Sequence, residues 1–343
     1  MPELVEVENF LHHFVPLISQ KCPIQIECPS TSPPKIFLSE TDVKFIEKCC
    51  ISKLERKGKL IRIHLQRIDK GYSQKCRSSY LYFHMGMTGR ISTPKFIPTL
   101  ESLSDNVTYP PPYTHLILKS NGHEIAFSDP RKFGSVSLNG NGPLETQWGE
   151  FAVDAMDESA CFDGFIGKTK GIKALLLDQR AVISGVGNWI ADEVLYQCKI
   201  HPDQTFLTKE ETMELKEKLQ YILKTGIQCL DNREEFPKEW IFQSRWKKRS
   251  KEKLKDYHGH SIVFVTSAGR TSAIVPALQK KLSRTATESN SGEDSIQNHK
   301  TNKTKERKAN ENTKKRAVKA TPASNELIKR RSRRHIPKRA KVY

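Results

Sequence analysis

The feature that most limits what this chain can fold into is the point at which its apolar periodicity stops. Beyond Lys281, Ser, Thr, Asn, Lys and Arg dominate, and residues 281–343 carry 19 Lys and Arg against 6 Asp and Glu. A segment of that composition cannot bury enough apolar surface to offset its ordering entropy, so 284–343 is predicted to be disordered. Any fold must be built from the preceding 280 or so residues, which hold only a small part of the net charge of +18. That length leaves room for two modest domains.

The pattern within the body changes twice. Residues 2–18 place Leu4, Val5, Phe10, Leu11, Phe14, Val15 and Ile18 at helical spacing, with Pro16 ending or kinking the helix near Val15. From about 36 to 140 short apolar runs alternate with turns: 60–65, 80–84, 115–118 and 124–127. Ser120-Asn121-Gly122-His123 reads as a hairpin turn, and the whole stretch as a β-sandwich or barrel. After about 150, helices are predicted at 172–179, 189–198 and 208–229, followed by a small hairpin within 261–278.

The excess positive charge favours a polyanionic partner, with nucleic acid first and a membrane surface second. No apolar run approaches the ~20 residues of a spanning helix. Glu3, Glu6 and Glu8 replace the basic start of a secretory signal. The eight cysteines contain no CxxC pair, so reduced thiols in cytosol or nucleus are expected.

Four segments and two single residues carry candidate chemistry. Removal of Met1 before the small residue Pro2 would leave a secondary amine, a good nucleophile towards an aldehyde-like carbon, with Glu3 and Glu6 nearby for proton work. Proline at this position is also a common, chemically silent start. The segment 83–89 runs a strand into a glycine-framed turn, which can present Met87 as a wedge or bury it as core. Asp129-Pro130-Arg131-Lys132-Phe133-Gly134 brackets two cations and an aromatic in a tight loop. Such a loop suits base extrusion, or is an ordinary solvated turn. In 178–189, Gly185 and Gly187 precede Asn188, which is suited to cap the next helix. Backbone amides there could bind a DNA phosphate; a nucleotide cofactor loop would need a preceding strand. Lys59 enters a predicted strand and Arg270 sits at the hairpin tip, each either aimed into a cleft or merely on the surface.

Taken together, PELVEVE, HMGMTG, DPRKFG, LLLDQRAVISGVGNWIADEVLYQCKIHPDQ and TSAGRTSAIVP resemble the formamidopyrimidine-DNA glycosylase (Fpg/Nei) family of base-excision repair, and most closely its plant and fungal branch. The resemblance runs from Pro2 to about Leu278. It implies an α+β multidomain protein: an N-terminal β-sandwich with an N-terminal helix (1–148), a helix-two-turn-helix domain (149–245), a hairpin finger (246–282) and a disordered basic tail (283–343). It further implies a glycosylase and AP lyase whose Pro2 attacks C1′ of the damaged nucleotide. Glu3 would act as acid/base, Glu6 would assist, and Lys59 would contact phosphate and lesion. Met87, Arg131 and Phe133 would fill the void in the duplex; Asn188 and Arg270 would clamp phosphates, with His115 a further phosphate contact.

Two departures from the family pattern matter. Val5 stands where the PELPEVE signature has its second proline. No cysteine follows Cys229, so the four-cysteine zinc site of bacterial fingers is impossible, and packing of Ile262, Phe264, Ile274 and Val275 is expected to hold a zincless hairpin. No metal or cofactor is expected. The stretch between Phe236 and His260 lacks a counterpart of the loop that caps 8-oxoguanine in bacterial members, so formamidopyrimidines and hydantoins are the expected lesions. Damaged double-stranded DNA is the expected partner of a monomer. The cluster at 329–341 is expected to act as a nuclear-import signal read by an import receptor and as a DNA arm. A damage-binding protein of this fold without lyase activity, and a chromatin or ribonucleoprotein factor acting through its tail, are the alternatives.

Overall fold

The computed structural model describes residues 2–29, 35–68, 79–98, 108–140, 142–248 and 253–282. The tail expected to be disordered, and the import signal within it, lie outside them. In chain order the elements are α1 (Leu4–Phe14), β1 (Gln25–Glu27), β2 (Lys35–Phe37), α2 (Glu40–Ile46), β3 (Cys49–Lys57), β4 (Leu60–Arg67), β5 (Ser79–His84), β6 (Arg90–Ser92), β7 (Thr114–Ser120), β8 (His123–Ser128) and β9 (Ser135–Leu138). Then follow α3 (Leu144–Glu150), β10 (Val153–Asp154), α4 (Ile172–Leu177), β11 (Ile183–Ser184), α5 (Asn188–Gln197), α6 (Lys209–Asn232), α7 (Phe242–Arg245), β12 (Val263–Ser267) and β13 (Arg270–Ile274).

Two sheets form the sandwich, one ordered β2-β9-β5-β4-β3 and the other β1-β7-β8-β6. The period-2 pattern of β4 shows why: Ile61, Ile63 and Leu65 point into the core while Arg62 and His64 face outwards. Facing them from the other sheet are Ile91, Leu116, Leu118, Ile125 and Phe127, in one continuous apolar cluster. The β7–β8 turn has φ of 53° at Asn121 and 73° at Gly122, the conformation that Asn-Gly favours.

A second core forms around α4, α5 and α6. Thr208 caps α6 through a reciprocal pairing with Glu211, and the helix ends at Arg233 in the left-handed region. Helix α1 belongs to both cores. Val7, Phe10 and Phe14 enter the sandwich, whereas Leu4 and Val5 enter the helical core, with Val5 lying against Gly226 of α6. Each such buried side chain contributes about 1.5–3 kcal/mol. The start of the chain is therefore clamped at the seam of the two parts.

Strands β12 and β13 form the finger hairpin, turning through Ala268 and Gly269 at φ 51° and 69°. Ile262, Ala273 and Val275 pack with Tyr196 and Ile241, and Phe264 packs against that cluster. Of the four residues expected to hold the hairpin, Ile262, Phe264 and Val275 do so here, while Ile274 is buried but lies outside this cluster and Ala273 takes part instead; a polar support accompanies the apolar one.

Candidate active site

The N-terminal segment docks on the glycine turn before α5. Leu4 N donates to Gly185 O at 3.2 Å. Gly185 has φ of 104°, and a Cβ there would overlap Leu4, while a Cβ on Gly187 would overlap the carboxylate of Glu3. Gln179 holds the turn from behind: its Oε1 accepts from Gly185 N at 2.8 Å, and its Nε2 donates to Val186 O at 2.9 Å. The two glycines are thus required by close approach of the chain's own N-terminus.

That arrangement corrects two expectations. Gly187, one residue earlier than Asn188, occupies the cap of α5, and Asn188 is the first helical residue. The amides at this helix start are also taken: Trp189 N and Ile190 N donate to the two carboxylate oxygens of Glu3 at 3.0 and 3.1 Å. An internal carboxylate sits where a phosphate was expected, for the same reason, since unpaired amides and the helix dipole attract negative charge. Asn188 instead donates its side-chain amide to Thr271 O at 3.0 Å, joining α5 to the finger.

Glu6 lies in the first turn of α1, which Glu3 caps. It accepts from Glu3 N at 2.9 Å and from Trp189 Nε1 at 3.0 Å. Burial, reinforced by the charge of Glu3, pushes its pKa up to about 7. Two carboxyl groups in one site, in environments this different, can serve different proton-handling roles near neutrality.

Lys59 follows Gly58 in the two-residue turn between β3 and β4. Gly58 has φ of 60° and packs against Phe151. The turn is pinned by Asp154, which accepts from Gly58 N at 2.7 Å and from Arg56 Nη2 at 3.0 Å. Burial lowers the pKa of Lys59 and Arg270 adds to that effect, while Glu3 and Glu6 oppose it. Lys59, His84, Gln179, Asn188 and Arg270 line one cleft of about 470 Å³, with Gly187 at its wall and Glu3 directly behind. A larger hollow of about 860 Å³ lies elsewhere, between α1 and the β7–β8 turn. It contains none of these groups, and size alone does not make it the site.

The wedge candidates form a separate group on the sandwich. Met87 is 38% exposed and Phe133 46% exposed, so neither is core. Arg131 stacks its guanidinium over Phe133 at 4.9 Å. The turn of Met87 and the loop of Phe133 touch through Gly86, where a Cβ would overlap the backbone of Phe133 and Gly134. Asp129, fully buried, organises the loop: it accepts from Phe133 N and Gly134 N, both at 2.7 Å, from Arg131 N at 3.2 Å, and from the Thr88 hydroxyl.

His115 stands apart from the expected phosphate contacts. It is 2% exposed and its Nε2 lies 3.0 Å from Asp129 O, so it braces the loop and presents nothing to the surface. Sequence reasoning passed over Asp129, Gln179 and Asp192. All three occur inside the quoted motifs, but only the geometry shows what their side chains accept.

Comparison with known proteins agrees with this architecture. Residues 1–136 match the family model described as formamidopyrimidine-DNA glycosylase N-terminal domain, and residues 150–235 that described as formamidopyrimidine-DNA glycosylase H2TH domain. The chain is 38% identical over 208 residues to formamidopyrimidine-DNA glycosylase of Arabidopsis thaliana, covering 58% of this chain and 52% of that protein. It therefore spans about half the length of that relative. It is 32% identical over 238 residues to the Gluconobacter oxydans protein of the same name, covering 66% and 78% of the two chains. The fold matches a crystal structure of Lactococcus lactis Fpg with abasic-site DNA at TM-score 0.61 and 23% identity, covering 82% of this chain and 100% of that one. A complex of the same bacterial protein with N7-benzyl-Fapy-dG DNA matches at TM-score 0.60, with the same identity and coverage. With both domain models in order along a sandwich, a helix-two-turn-helix core and a finger, the chain belongs to the formamidopyrimidine-DNA glycosylase family.

Proposed function

We propose that the chain is a DNA glycosylase and AP lyase of base-excision repair that removes oxidised purines, formamidopyrimidines and hydantoins foremost and 8-oxoguanine poorly. One observation carries the reading: Glu3 and Leu4, the residues that follow Pro2, are locked against the glycine turn that walls the cleft shared by Lys59, Asn188 and Arg270.

With Met1 removed, the Pro2 amine attacks C1′, the bond from C1′ to the base breaks, and the base departs with the amine's proton. The bond from C1′ to the ring oxygen then opens as that oxygen takes a proton, leaving C1′ doubly bonded to the nitrogen. The resulting iminium draws electrons. Loss of a proton at C2′ then expels the 3′ phosphate, and a second elimination expels the 5′ phosphate. The Glu3 carboxylate faces the developing cation at C1′ and handles the ring-oxygen proton. Glu6, with its raised pKa, exchanges that proton with Glu3. Lys59, Asn188 and Arg270 hold phosphates flanking the lesion. Met87, Arg131 and Phe133 occupy the gap once the damaged nucleotide has rotated out. His115 acts through the loop it braces.

The partner is damaged double-stranded DNA, bound by a monomer. The basic cluster at 329–341 directs the chain to the nucleus through an import receptor. Among the described residues no helix is long and apolar enough to cross a membrane.

A panel of duplexes carrying formamidopyrimidine, hydantoin, 8-oxoguanine or an abasic site, incubated with and without borohydride, tests this. The expected result is a covalent adduct with the abasic site and base release from the first two lesions. Pro2→Gly should lower trapping by roughly a hundredfold or more. Undiminished trapping by that variant, or lesion binding with no turnover on any duplex, would overturn the proposal.

A further inference from the structure

A cluster of buried charge that the proposed chemistry does not use lies behind the finger. The Asp192 side chain is 1% exposed, that of Lys173 0% and that of Arg245 6%. Asp192 Oδ1 accepts from Lys173 Nζ at 2.6 Å. Its Oδ2 accepts from Arg245 at 2.8 and 3.2 Å and from the backbone amide of Ala273 at 3.2 Å. Lys173 completes its donors on the finger, to Ser272 Oγ and to Thr271 O.

Three helices, α4, α5 and α7, thereby converge on one strand of the finger through a single carboxylate. Asn188 and Asp192 stand one helical turn apart on α5, and both are bonded into the run 271–273, directly after Arg270. An isolated two-stranded hairpin is marginal in water, so its docking decides its conformation. Apolar packing tolerates sliding, whereas charge-assisted hydrogen bonds impose direction. Burying three charges is weak evidence for stability, since an apolar trio of similar volume often does as well. What the cluster supplies is a fixed angle.

We infer that Asp192 is a positioning residue that sets the finger on α5, so that Arg270 and Asn188 reach the DNA backbone together. It performs for this finger the orienting task that a metal centre would perform in a cysteine-bearing one. The inference rests on the DNA-binding reading above.

The test uses the full chain with Asp192→Asn, Arg270→Ala and both together. Affinity for a duplex carrying a tetrahydrofuran abasic analogue is read by anisotropy at fixed salt, beside amide exchange across 263–274. Asp192→Asn should weaken binding by roughly tenfold or more in the parent chain, but by less than about threefold on Arg270→Ala, because the two act as one unit. Exchange at Ala273 and its neighbours should quicken. A triple variant, Lys173→Met with Asp192→Leu and Arg245→Met, leaves no charge unpaired. It should keep the melting temperature yet bind as weakly as Asp192→Asn.

Equal losses in both backgrounds, unchanged exchange, or full affinity in the triple variant would overturn the inference. Failure of the DNA-binding reading looks different. The parent chain would then not prefer the lesion duplex and Arg270→Ala would change nothing, while the exchange measurement would still decide whether Asp192 holds the finger.

Discussion

Two buried aspartates, Asp129 and Asp192, each hold a segment that faces DNA in the proposed complex, and they do so by different means. Asp129 takes neutral donors: three amides of its own loop and one hydroxyl. Asp192 takes a lysine and an arginine from other helices, with one amide of the finger. The difference follows from connectivity. The loop at 129–134 is flanked by β8 and β9 of a rigid sandwich, so local amides lie within reach and need only gathering. The finger is an appended hairpin with no sheet to join, so its attachment must come from side chains of separate elements. A loop held by its own backbone leaves Arg131, Lys132 and Phe133 exposed. A finger held by side chains depends on all of them at once.

Replacing each aspartate by asparagine should separate the two designs most clearly. Asp192→Asn leaves two buried cations without a counter-ion and should cost about 3–5 kcal/mol. Asp129→Asn turns an acceptor into a donor facing amides and should cost about 1–3 kcal/mol. Urea denaturation of both variants gives the order, and equal costs would break the comparison.

A smaller effect should come from Glu6. Its pKa of about 7 when folded lies above the ordinary carboxyl value of 4.5, so between those two values the native chain holds a proton that the unfolded chain has released. Stability contributed by that proton is complete below about pH 4.5 and is lost as pH rises towards 7. Glu6→Gln should flatten this part of the stability profile between pH 5 and 8. A slope unchanged by the substitution would show that Glu6 is not the group being titrated.

Least of all should stability respond to Phe133→Ala, because the ring is half exposed; a change within about 0.5 kcal/mol is expected. Base release in a single turnover should nevertheless slow by roughly tenfold or more, since the wedge is missing from the opened duplex. A large loss of stability would mean that Phe133 supports the loop after all.

Much of this architecture was legible in the sequence, for reasons that can be named. The helix expected over 2–18 forms as α1, Leu4–Phe14, and Pro16 falls in the 3₁₀ turn that closes it. A period of 3.6 located α6 and a period of 2 located β4, because each buries one face, whereas α5, β7 and β8 are buried nearly throughout and stood out as apolar runs. Helix α2 went unread within the strand-rich stretch, although Ser39 and Asp42 form a capping box there. Local signals of that kind are easily outvoted by a regional pattern.

At the site, the sequence supplied residue types and not partners. Glycines at 185 and 187 suggested room for a phosphate, and the room is filled by Leu4 and Glu3, which lie far away in the chain. His115 sat among plausible phosphate contacts, yet it is buried against Asp129 O at the point where the β7–β8 register shifts. Asp192 and Glu193 interrupt an otherwise apolar helix between Ile190 and Val194, a signal that buried charges with partners were to be sought.

Two amines compete for the role of nucleophile in the proposed reaction: that of Pro2, freed by removal of Met1, and that of Lys59, whose pKa is lowered by burial in the cleft. Borohydride reduction of the complex with abasic-site DNA, followed by proteolysis and mass mapping of the modified peptide, distinguishes them. The account predicts that the sugar remnant is carried on the nitrogen of Pro2. A remnant on Lys59, or undiminished adduct after the terminal amine has been acylated, would contradict it.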